Sequence, residues 1–494
     1  MNGNIRTRFA PSPTGYMHLG NLRTALYAFL YAKSQKGKFI LRIEDTDRER
    51  YVEDATQKIY NTLADAGISY DEGPDQGGEY GPYIQSERRE IYKKYALDLV
   101  EKGGAYFCFC SKDDSRTEEG YDRHCRDLSR EIIHENLDLG KPYVIRQKIN
   151  LEGSTSFNDA VFGEIKVENN KLDDQVLLKR DGLPTYNFAH VIDDHLMKIT
   201  HVIRGSEYLS STPKYIQLYD AFNWDKPEYI HLPLILGRNE DGSVTKLSKR
   251  HGAVSFQELI QEGYLPAAII NYIALLGWSP KGDKELFSVA ELIDAFSIRD
   301  INKNSPVFDY KKLDWINSEH IKLLSPDDFS VIAYPFSKVS GTVLEHKWKE
   351  IATLLHSRVH KFTQIPEMIG FMFELCPYST DLFINKKNQS TIESSIKILR
   401  ASLEIIKSIP QWNQDAIFSA FENFSLSKNT KLGYIMWPLR IALSGLTVTP
   451  GGAMDIMYVI GREEAMVRLS YAIELIEAAQ NPAGTGSKEN HPAL

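Results

Sequence analysis

Hydrophobic positions near the start of the chain change from the period of a strand to that of a helix. Residues 5–9 alternate apolar and polar side chains, which predicts a strand. The two prolines and the glycine within residues 11–15 exclude a helix or strand in that segment. The next apolar residues follow one helix face: Leu22, Ala25, Leu26, Phe29 and Leu30. A second strand is predicted at residues 39–43 and a second helix at residues 54–66. This order predicts a parallel sheet that binds ligands at the C-terminal ends of its strands.

The pattern changes again along the chain. Residues 71–85 are rich in glycine, proline and aspartate and predict a junction. Strand signals return at residues 199–204 and 231–236, and helical periodicity covers residues 254–276. Helices dominate from about residue 321, which predicts a separate all-α half. Residues 481–494 contain few apolar side chains, and we expect a disordered tail there.

Composition narrows the class of protein. A chain of 494 residues is long enough for several domains. Its 58 basic and 66 acidic residues give a net charge of −8, which excludes a uniformly basic nucleic-acid coat but not a local basic groove. No apolar run reaches the roughly 18–20 residues that span a bilayer. The N-terminal residues lack the apolar core of an export signal, and four cysteines do not make a disulfide scaffold. We therefore expect a cytoplasmic protein with no membrane partner.

The loop between the first strand and the first helix contains the first candidate site. It reads PSPTGYMHLGN over residues 11–21. N–H groups at a helix N-terminus attract phosphate, His18 can donate to a phosphate oxygen, and Gly20 lets the backbone approach a ligand closely. A short H-x-G string is also typical of a loop that only caps a helix.

A second candidate site is the basic string KLSKR at residues 246–250, after a polar loop at residues 237–243. Lys246, Lys249 and Arg250 can hold a polyphosphate and stabilise the charge that develops during its transfer. Taken alone, such a string is more often a solvated loop.

Together these loops resemble the two signature motifs of class I aminoacyl-tRNA synthetases, and longer strings resemble the bacterial glutamyl-tRNA synthetase family. The likeness covers nearly the whole chain. The matching strings lie at residues 8–15, 41–47, 181–186, 191–195, 202–204, 246–250, 306–309, 431–433 and 438–440.

The resemblance implies a fold that is α/β plus all-α. Its expected core is a Rossmann-type parallel sheet, interrupted by an inserted domain for the tRNA acceptor end and followed by helical anticodon-binding domains. The implied boundaries are 1–80 and 188–240 for the core, 81–187 for the insertion, 241–322 for a stem-contact region with the KLSKR loop, and 323–480 for the anticodon-binding part.

The resemblance also implies a reaction. With ATP and Mg²⁺, the enzyme would convert L-glutamate to glutamyl-adenylate and transfer the glutamyl group to the 3′-terminal adenosine of tRNA(Glu), acting as a monomer. In this family, adenylate formation usually requires bound tRNA. The implied catalytic residues are His18, Lys246 and Lys249. The implied ATP-binding residues are Pro11, Ser12, Thr14, Gly15, His18, Gly20, Asn21 and Lys249.

The implied glutamate site needs both signs of charge. Arg8 and Arg204 match the family's carboxylate-binding arginines, and Glu44 matches the group that receives the ammonium. Without the resemblance, Arg204 and Glu44 would be interpreted as ordinary ion pairs at strand ends. His190 stands where most of the family has asparagine and is kept as a glutamate-binding candidate. The remaining expected wall residues are Ala10, Ser12 and Tyr186.

Three of the four cysteines predict a metal site. Cys108, Cys110 and Cys125 supply three thiolates of a tetrahedral centre, for which zinc is favoured. Three buried thiols without a metal are the alternative. The fourth ligand stays open between Tyr121, which matches a ligand in related proteins, His124 and Asp127. The fourth cysteine, Cys376, is expected to be an ordinary buried residue.

The C-terminal half is expected to bind tRNA. One amphipathic helix is predicted from Ile351, Leu354, Leu355, Val359 and Phe362. Arg358 would lie near its apolar stripe, where an arginine extends to solvent, forms an internal pair or contacts a ligand. The resemblance implies that it contacts an anticodon base.

Each alternative function disagrees with at least one feature of the sequence. A small-molecule nucleotidyltransferase needs no long helical half, and the paralogue that glutamylates a base of tRNA(Asp) lacks that half. Glutaminyl-tRNA synthetase has a β-barrel anticodon region. An inactive tRNA-binding scaffold would not need His18, Lys246 and Lys249.

Overall fold

The computed structural model describes residues 5–46, 52, 54–111, 116–117 and 120–480. The predicted tail at 481–494 and Asp47 lie outside these residues. The chain forms two compact units that divide between Ile316 and Asn317. Within the described ranges, no helix combines the length and the apolar character needed to cross a membrane.

Most of the first unit's strands are short. In chain order they are β1 (Arg6–Phe9), β2 (Lys38–Leu41), β3 (Ala105–Cys108), β4 (Arg116–Thr117), β5 (Gly120–Tyr121), β6 (Val144–Gln147), β7 (Ser154–Asp159), β8 (Gly163–Glu168), β9 (Val176–Leu178), β10 (His201–Gly205), β11 (Glu228–Leu232), β12 (Leu236–Arg238) and β13 (Val244–Lys246). The helices are α1 (Leu19–Ser34), α2 (Ala55–Asp65), α3 (Arg89–Glu101), α4 (Arg130–Asp138), α5 (Tyr186–Leu196), α6 (Thr212–Phe222), α7 (Phe256–Gln261), α8 (Pro266–Leu275), α9 (Val289–Ala295) and α10 (Tyr310–Leu323), which crosses the division.

A parallel arrangement of strands forms the core of the first unit, as the sequence predicts. β1 pairs in parallel with β2, and β10 pairs in parallel with β11. The backbone N–H of Thr200 donates to the carbonyl of Arg6 over 3.0 Å, which holds the start of β1 beside the start of β10. β7 continues the sheet in parallel with β11, and β8 closes it antiparallel to β7. The sequence predicts a strand at residues 231–236, but the corresponding strand, β11, spans Glu228–Leu232. The chain leaves the sheet at Pro233, which has no N–H to donate.

Burial explains why these segments take these forms. All four residues of β1 are buried, as expected for a central strand with both faces covered. Helix α1 buries side chains on every face, and it begins where the Nδ1 of His18 accepts the Gly20 N–H over 3.2 Å. The first helix therefore starts at the loop that carries the first motif.

The segment between the two halves of the core has its own sheet. β3, β6 and β9 form an antiparallel sheet in the order β3-β6-β9. Its buried side chains share a hydrophobic cluster with α3, α5 and α6, including Tyr92, Ile145, Phe188 and Tyr219. This packing joins the segment to the helix α5 that carries Tyr186 and His190.

The second unit is helical over its described residues. Its helices are α11 (Pro326–Ser337), α12 (Trp348–Leu355), α13 (Ile365–Phe373), α14 (Ile392–Ser408), α15 (Gln414–Ser427), α16 (Leu432–Ser444), α17 (Ala453–Ile460) and α18 (Arg462–Gln480).

Three expectations for this unit are wrong. The helix predicted to run through Phe362 ends at Leu355. Val359 and Phe362 are still buried, but Val359 directly follows a turn and Phe362 begins a 3-10 helix. The spacing of apolar residues therefore predicted their burial correctly but not an unbroken helix. Arg358 therefore lies exposed in the turn and not beside a helical stripe. Cys376, expected to be buried, is exposed.

Candidate active site

A cavity of about 390 Å³ opens beyond the C-terminal ends of β1, β10 and β11. This is the edge of a parallel sheet where ligands are expected. The predicted site residues that line it are Arg8, Ala10, Pro11, Ser12, Thr14, His18, Gly20, Asn21, Glu44, Tyr186, Arg204 and Lys246. The fold thus brings residues that are distant in sequence around one small volume.

Three predicted residues do not line this cavity. Gly15 lies in the loop before α1, and Lys249 is exposed where a 3-10 helix begins. His190 is buried, with its ring centroid 5.1 Å from that of Tyr186 and 4.4 Å from that of Tyr215. Burial lowers the pKa of His190 to about 3, so the ring is neutral. Neither ring nitrogen has a hydrogen-bond partner among the described residues.

His18 combines a role in the backbone with a position at the cavity. Its Nδ1 accepts the Gly20 N–H, so in the neutral ring the proton lies on Nε2. Burial, aided by the Lys246 ammonium, lowers the pKa of His18, although the Leu247 carbonyl opposes the shift. A neutral histidine that caps the helix through Nδ1 keeps its proton on Nε2, so capping and phosphate binding are compatible if a phosphate oxygen takes the place of the Leu247 carbonyl as acceptor.

The KLSKR loop follows the hairpin of β12 and β13 and is held by His251. The backbone N–H of Ser248 donates to His251 Nδ1 over 3.0 Å, and His251 Nε2 contacts the Asn239 side-chain oxygen at 2.9 Å. A Cβ on Gly237 would lie 2.5 Å from the His251 ring, so only glycine fits there. This anchoring leaves Lys246 at the cavity and Lys249 in solvent.

A buried ion network holds Arg8 at the inner end of the cavity. Arg8 donates to both carboxylate oxygens of Asp194, from Nε over 3.0 Å and from Nη2 over 3.1 Å. Arg42 donates to the same Asp194 over 2.8 Å and to Glu44 over 3.1 Å. Burial alone would raise the pKa of Asp194, but the two arginines hold it well below its ordinary value. Arg8 is therefore fixed in place, and each of its three nitrogens already donates one hydrogen bond, that of Nη1 to the Ile203 carbonyl over 3.4 Å.

Sequence reasoning missed the roles of Asp193 and Asp194. Asp193 accepts from Arg88 Nε over 2.8 Å, from Gln85 over 2.9 Å and from the Tyr92 hydroxyl. The available signal was two adjacent carboxylates in the otherwise apolar part of α5. Such residues are rarely buried unless they are paired, but their partners lie far away in sequence.

The side-chain carboxyl group of Glu44 has a raised pKa. Burial raises its pKa to about 7, although Arg42 and Arg8 pull in the opposite direction. One of its oxygens, Oε2, has no hydrogen-bond partner among the described residues. Glu44 thus offers an acceptor at the cavity whose charge changes near neutral pH.

Arg204 offers the matching donor. Its Nη2 donates to the Thr212 hydroxyl over 2.8 Å, while its Nη1 has no partner among the described residues. The guanidinium carbon lies 4.8–5.3 Å from the ring centroids of Tyr208, Tyr215 and Tyr229. An unpaired cation donor and an unpaired carboxylate oxygen in one buried site suit a small molecule that carries both charges.

The cavity also has lining residues that the motifs did not predict. They are Phe9, Arg23, Thr24, Ile203, Gly205, Glu207, Tyr208, Leu232, Leu234 and Ile235. Several of them are next to predicted site residues in the sequence, and this adjacency could have identified them. The aliphatic members give one wall an apolar character that suits a flat ring.

The cysteine cluster forms a second candidate site. The sulfurs of Cys108, Cys110 and Cys125 all lie within 4.8 Å of one another, and the Tyr121 hydroxyl lies 3.3 Å from the Cys108 sulfur. Burial raises the pKa of Cys108, but hydrogen bonds from Tyr121 and Arg146 outweigh this and lower it. Burial and the neighbouring sulfurs raise the pKa of Cys110 to about 12.

Of the three open choices for a fourth ligand, Tyr121 is the one beside the sulfurs. His124 is exposed, and its backbone N–H contacts Asp122. Asp127 is exposed and pairs with Lys148 over 3.2 Å.

Comparison with known proteins gives consistent matches for both units. Residues 4–315 match the family model described as tRNA synthetases class I (E and Q), catalytic domain, and residues 330–473 match an anticodon binding domain. The chain is 52% identical to the glutamate–tRNA ligase of Clostridium botulinum, covering 97% of this chain and 100% of the relative. It is 51% identical to that of Clostridium tetani, covering 97% and 99%.

A solved structure agrees with these matches. It is a glutamate tRNA ligase from Elizabethkingia meningosepticum in complex with its amino acid, 35% identical, with a TM-score of 0.84. The match covers 96% of this chain and 100% of the other.

Proposed function

The chain belongs to the family of class I tRNA synthetases for glutamate and glutamine, and on that premise we propose that it is a glutamate–tRNA ligase. It activates L-glutamate with ATP to glutamyl-adenylate and transfers the glutamyl group to the 3′-terminal adenosine of tRNA(Glu). The observation that carries the proposal is an identity of 52% with a glutamate–tRNA ligase over the full length of that relative.

Glutamate has two carboxylates and one ammonium, and the cavity has groups for each. Arg204 and Arg8 bind the carboxylates, and Glu44 receives the ammonium. Arg204 is the stronger carboxylate ligand because its Nη1 is unpaired, whereas Arg8 Nη1 already donates to the Ile203 carbonyl and the charge of Arg8 is paired with Asp194. Ala10, Ser12 and Tyr186 form the wall, and His190 supports Tyr186 from behind.

ATP binds along the loop before α1 and under the KLSKR loop. Its contacts are Pro11, Ser12, Thr14, Gly15, His18, Gly20, Asn21 and Lys249. His18 donates from Nε2 to a phosphate oxygen, and Lys246 and Lys249 stabilise the charge on the phosphates during transfer. Mg²⁺ accompanies ATP and offsets phosphate charge.

The donor set of the cysteine cluster fits a structural zinc ion. Cys108, Cys110 and Cys125 would hold it, with the Tyr121 hydroxyl as fourth ligand. Tyrosine is an uncommon zinc ligand, but Tyr121 is the candidate in contact with a sulfur of the cluster. Zinc would tie β3 to the segment after β5 and so stabilise the inserted part.

tRNA(Glu) is the macromolecular partner, and Arg358 contacts its anticodon. Arg358 is exposed. Burial of Arg440 lowers the pKa of that residue, and the nearby positive charge of Arg358 lowers it further. Two arginines that repel each other on one surface favour an anionic partner. We assign residues 1–80 and 188–240 to the catalytic core, 81–187 to the acceptor-end insertion, 241–322 to the stem-contact region and 323–480 to anticodon binding. Within 81–187, β7 and β8 are the exception, because they pair with the core sheet. The enzyme acts as a monomer in the cytoplasm, where translation takes place.

Amino-acid-dependent exchange of labelled pyrophosphate into ATP tests the activation step. We expect exchange with glutamate in the presence of tRNA(Glu) and little exchange without tRNA. Exchange supported by glutamine, and not by glutamate, would reject the assignment.

A further inference from the structure

A buried chain of hydrogen bonds lies behind Arg204. Asp159 ends β7, His231 lies in β11 and Arg204 lies in β10, on three adjacent strands. The Asp159 carboxylate contacts His231 Nδ1 at 2.7 Å, and Arg204 Nε donates to His231 Nε2 over 3.2 Å. Asp159 and His231 are fully enclosed, with 1% and 0% exposure. Neither residue lines the cavity. His231 Nε2 also contacts the Thr212 hydroxyl at 3.3 Å, and that hydroxyl accepts from Arg204, so both contacts of His231 Nε2 support the same guanidinium.

The chain has one consistent arrangement of protons. Asp159 Oδ2 accepts both the backbone N–H of His231, over 3.1 Å, and the Nδ1–H of its ring. A neutral imidazole with its proton on Nδ1 has a lone pair on Nε2, which is what the Arg204 N–H requires. Burial, aided by Arg204, lowers the pKa of His231 despite the opposing effect of Asp159, so the ring is neutral.

This arrangement fixes the direction of the guanidinium. Nε is held by His231 and Nη2 by Thr212, so the planar group cannot rotate and Nη1 is left as the open donor. We propose that Asp159 and His231 are positioning residues that orient Arg204 toward a carboxylate of the substrate and thereby set the preference for glutamate over glutamine. This inference rests on the proposed function, because it takes glutamate as the ligand of Arg204.

The Asp159→Asn variant tests the proton arrangement with little change in volume. The other carboxylate oxygen, Oδ1, accepts the N–H groups of Val161 and Phe162 over 3.0 and 2.9 Å. An asparagine that keeps its oxygen there turns its NH₂ toward His231 Nδ1. The ring must then carry its proton on Nε2, where it opposes the Arg204 N–H.

We expect the KM for glutamate to rise about 10- to 100-fold in Asp159→Asn and His231→Asn, as for loss of a hydrogen bond to a charged group. The KM values for ATP and tRNA(Glu) should stay within about twofold. The preference for glutamate over glutamine should fall, because a misdirected guanidinium selects less strongly for a carboxylate. His231→Gln can keep an acceptor near Arg204 and should lie closer to the unmodified enzyme.

His201→Asn is the matched control. His201 is a buried histidine at the other end of β10, and it also pairs with a carboxylate, that of Glu228 at 3.3 Å. Its substitution should leave the KM for glutamate unchanged. An unchanged glutamate KM in folded Asp159→Asn and His231→Asn would overturn the proposal, as would equal increases in all three KM values.

A second measurement does not depend on the variants being active. With ¹⁵N-labelled histidine, the signals of His231, identified by their loss in His231→Gln, should show a neutral ring with the proton on Nδ1. A proton on Nε2 would overturn the proposal. Failure of the unmodified enzyme to charge tRNA(Glu) at all would instead reject the proposed function, so the two failures are distinguishable.

Discussion

At the scale of single residues, most of the buried charge is balanced within the protein, and two of the unpaired atoms in the described part of the chain lie on charged residues that line the cavity. Arg8 and Arg42 share Asp194, whereas Arg204 Nη1 and Glu44 Oε2 have no partner in the described part of the chain. Leaving a buried donor or acceptor unpaired costs about 1–3 kcal/mol, and more for a charged group. A substrate that pairs with both atoms recovers this cost, which favours binding of a molecule with both charges.

Glu44 gives the reaction a pH dependence. Its pKa is raised to about 7, so the carboxylate that receives the ammonium is lost as the pH falls through 7. Glutamate keeps its own charges between pH 6 and 8. We predict that the KM for glutamate is up to about 10-fold higher at pH 6 than at pH 8. Steady-state charging across this range measures it.

Glu44→Gln supplies the control for this dependence. The variant should show a high KM for glutamate at every pH, with no change in slope near neutrality. A normal KM in the variant, or a profile as steep as that of the unmodified enzyme, would exclude Glu44 as the titrating group.

Lys249 is proposed to stabilise negative charge on the phosphates of ATP during adenylate formation. In the structure its side chain is exposed to solvent. Lys249→Ala should lower the charging rate by about 10²–10³ with little effect on stability. Lys226→Ala, at an exposed lysine that pairs with Asp220 outside the cavity, should charge normally. Rates for Lys249→Ala equal to those of the control would exclude the role.

At the scale of elements, the sequence predicted local structure well where periodicity and breakers agree. β1, the loop of residues 11–15 and α1 appear where expected because proline and glycine separate two clear periods. The helix predicted beyond Leu355 failed because buried residues in a turn have the same spacing as a helix face. The Arg8–Asp194 and Asp159–His231–Arg204 contacts were not predictable, since the first joins β1 to the distant helix α5 and the second depends on the pairing of three separate strands.

The inserted part is predicted to depend on zinc. The purified protein should contain about one equivalent of zinc, and Cys125→Ser should lose it and unfold at a lower temperature. Elemental analysis and thermal unfolding measure the two effects. Cys376→Ser, at the exposed cysteine, should retain both metal and stability. Metal-free protein after careful preparation, or full zinc in Cys125→Ser, would contradict the site.

The fourth ligand has its own test. Tyr121→Phe should weaken zinc binding, measured by competition with a chelator, whereas His124→Ala and Asp127→Ala should not. The reverse order of effects would move the fourth position away from Tyr121.

At the scale of the whole molecule, average charge is a poor guide to the partner. The net charge is −8, yet recognition of RNA needs only a few well-placed cations. The family and both of its units were recognisable from sequence because their motifs extend over most of the chain. Where the first unit ends was less clear, since α10 crosses the division at Ile316 and its periodicity does not change there.

Arg358 tests the assignment of the second unit. Arg358→Ala should raise the KM for tRNA(Glu) by roughly 10- to 100-fold, because a lost base contact costs about 1–3 kcal/mol. The KM values for ATP and glutamate should not change. Arg400→Ala, at an exposed arginine paired with Glu477, should have no effect on the KM for tRNA. Equal effects of the two variants would exclude a specific contact.

Charging of tRNA(Glu) with differently labelled glutamate and glutamine in one reaction is the most direct test of the function. The arrangement of Arg204 and Glu44 and the family membership predict that glutamate accumulates on the 3′-terminal adenosine in an ATP-dependent reaction, with glutamine at background. Transfer of glutamine in preference to glutamate, or no aminoacyl product from either, would contradict the account.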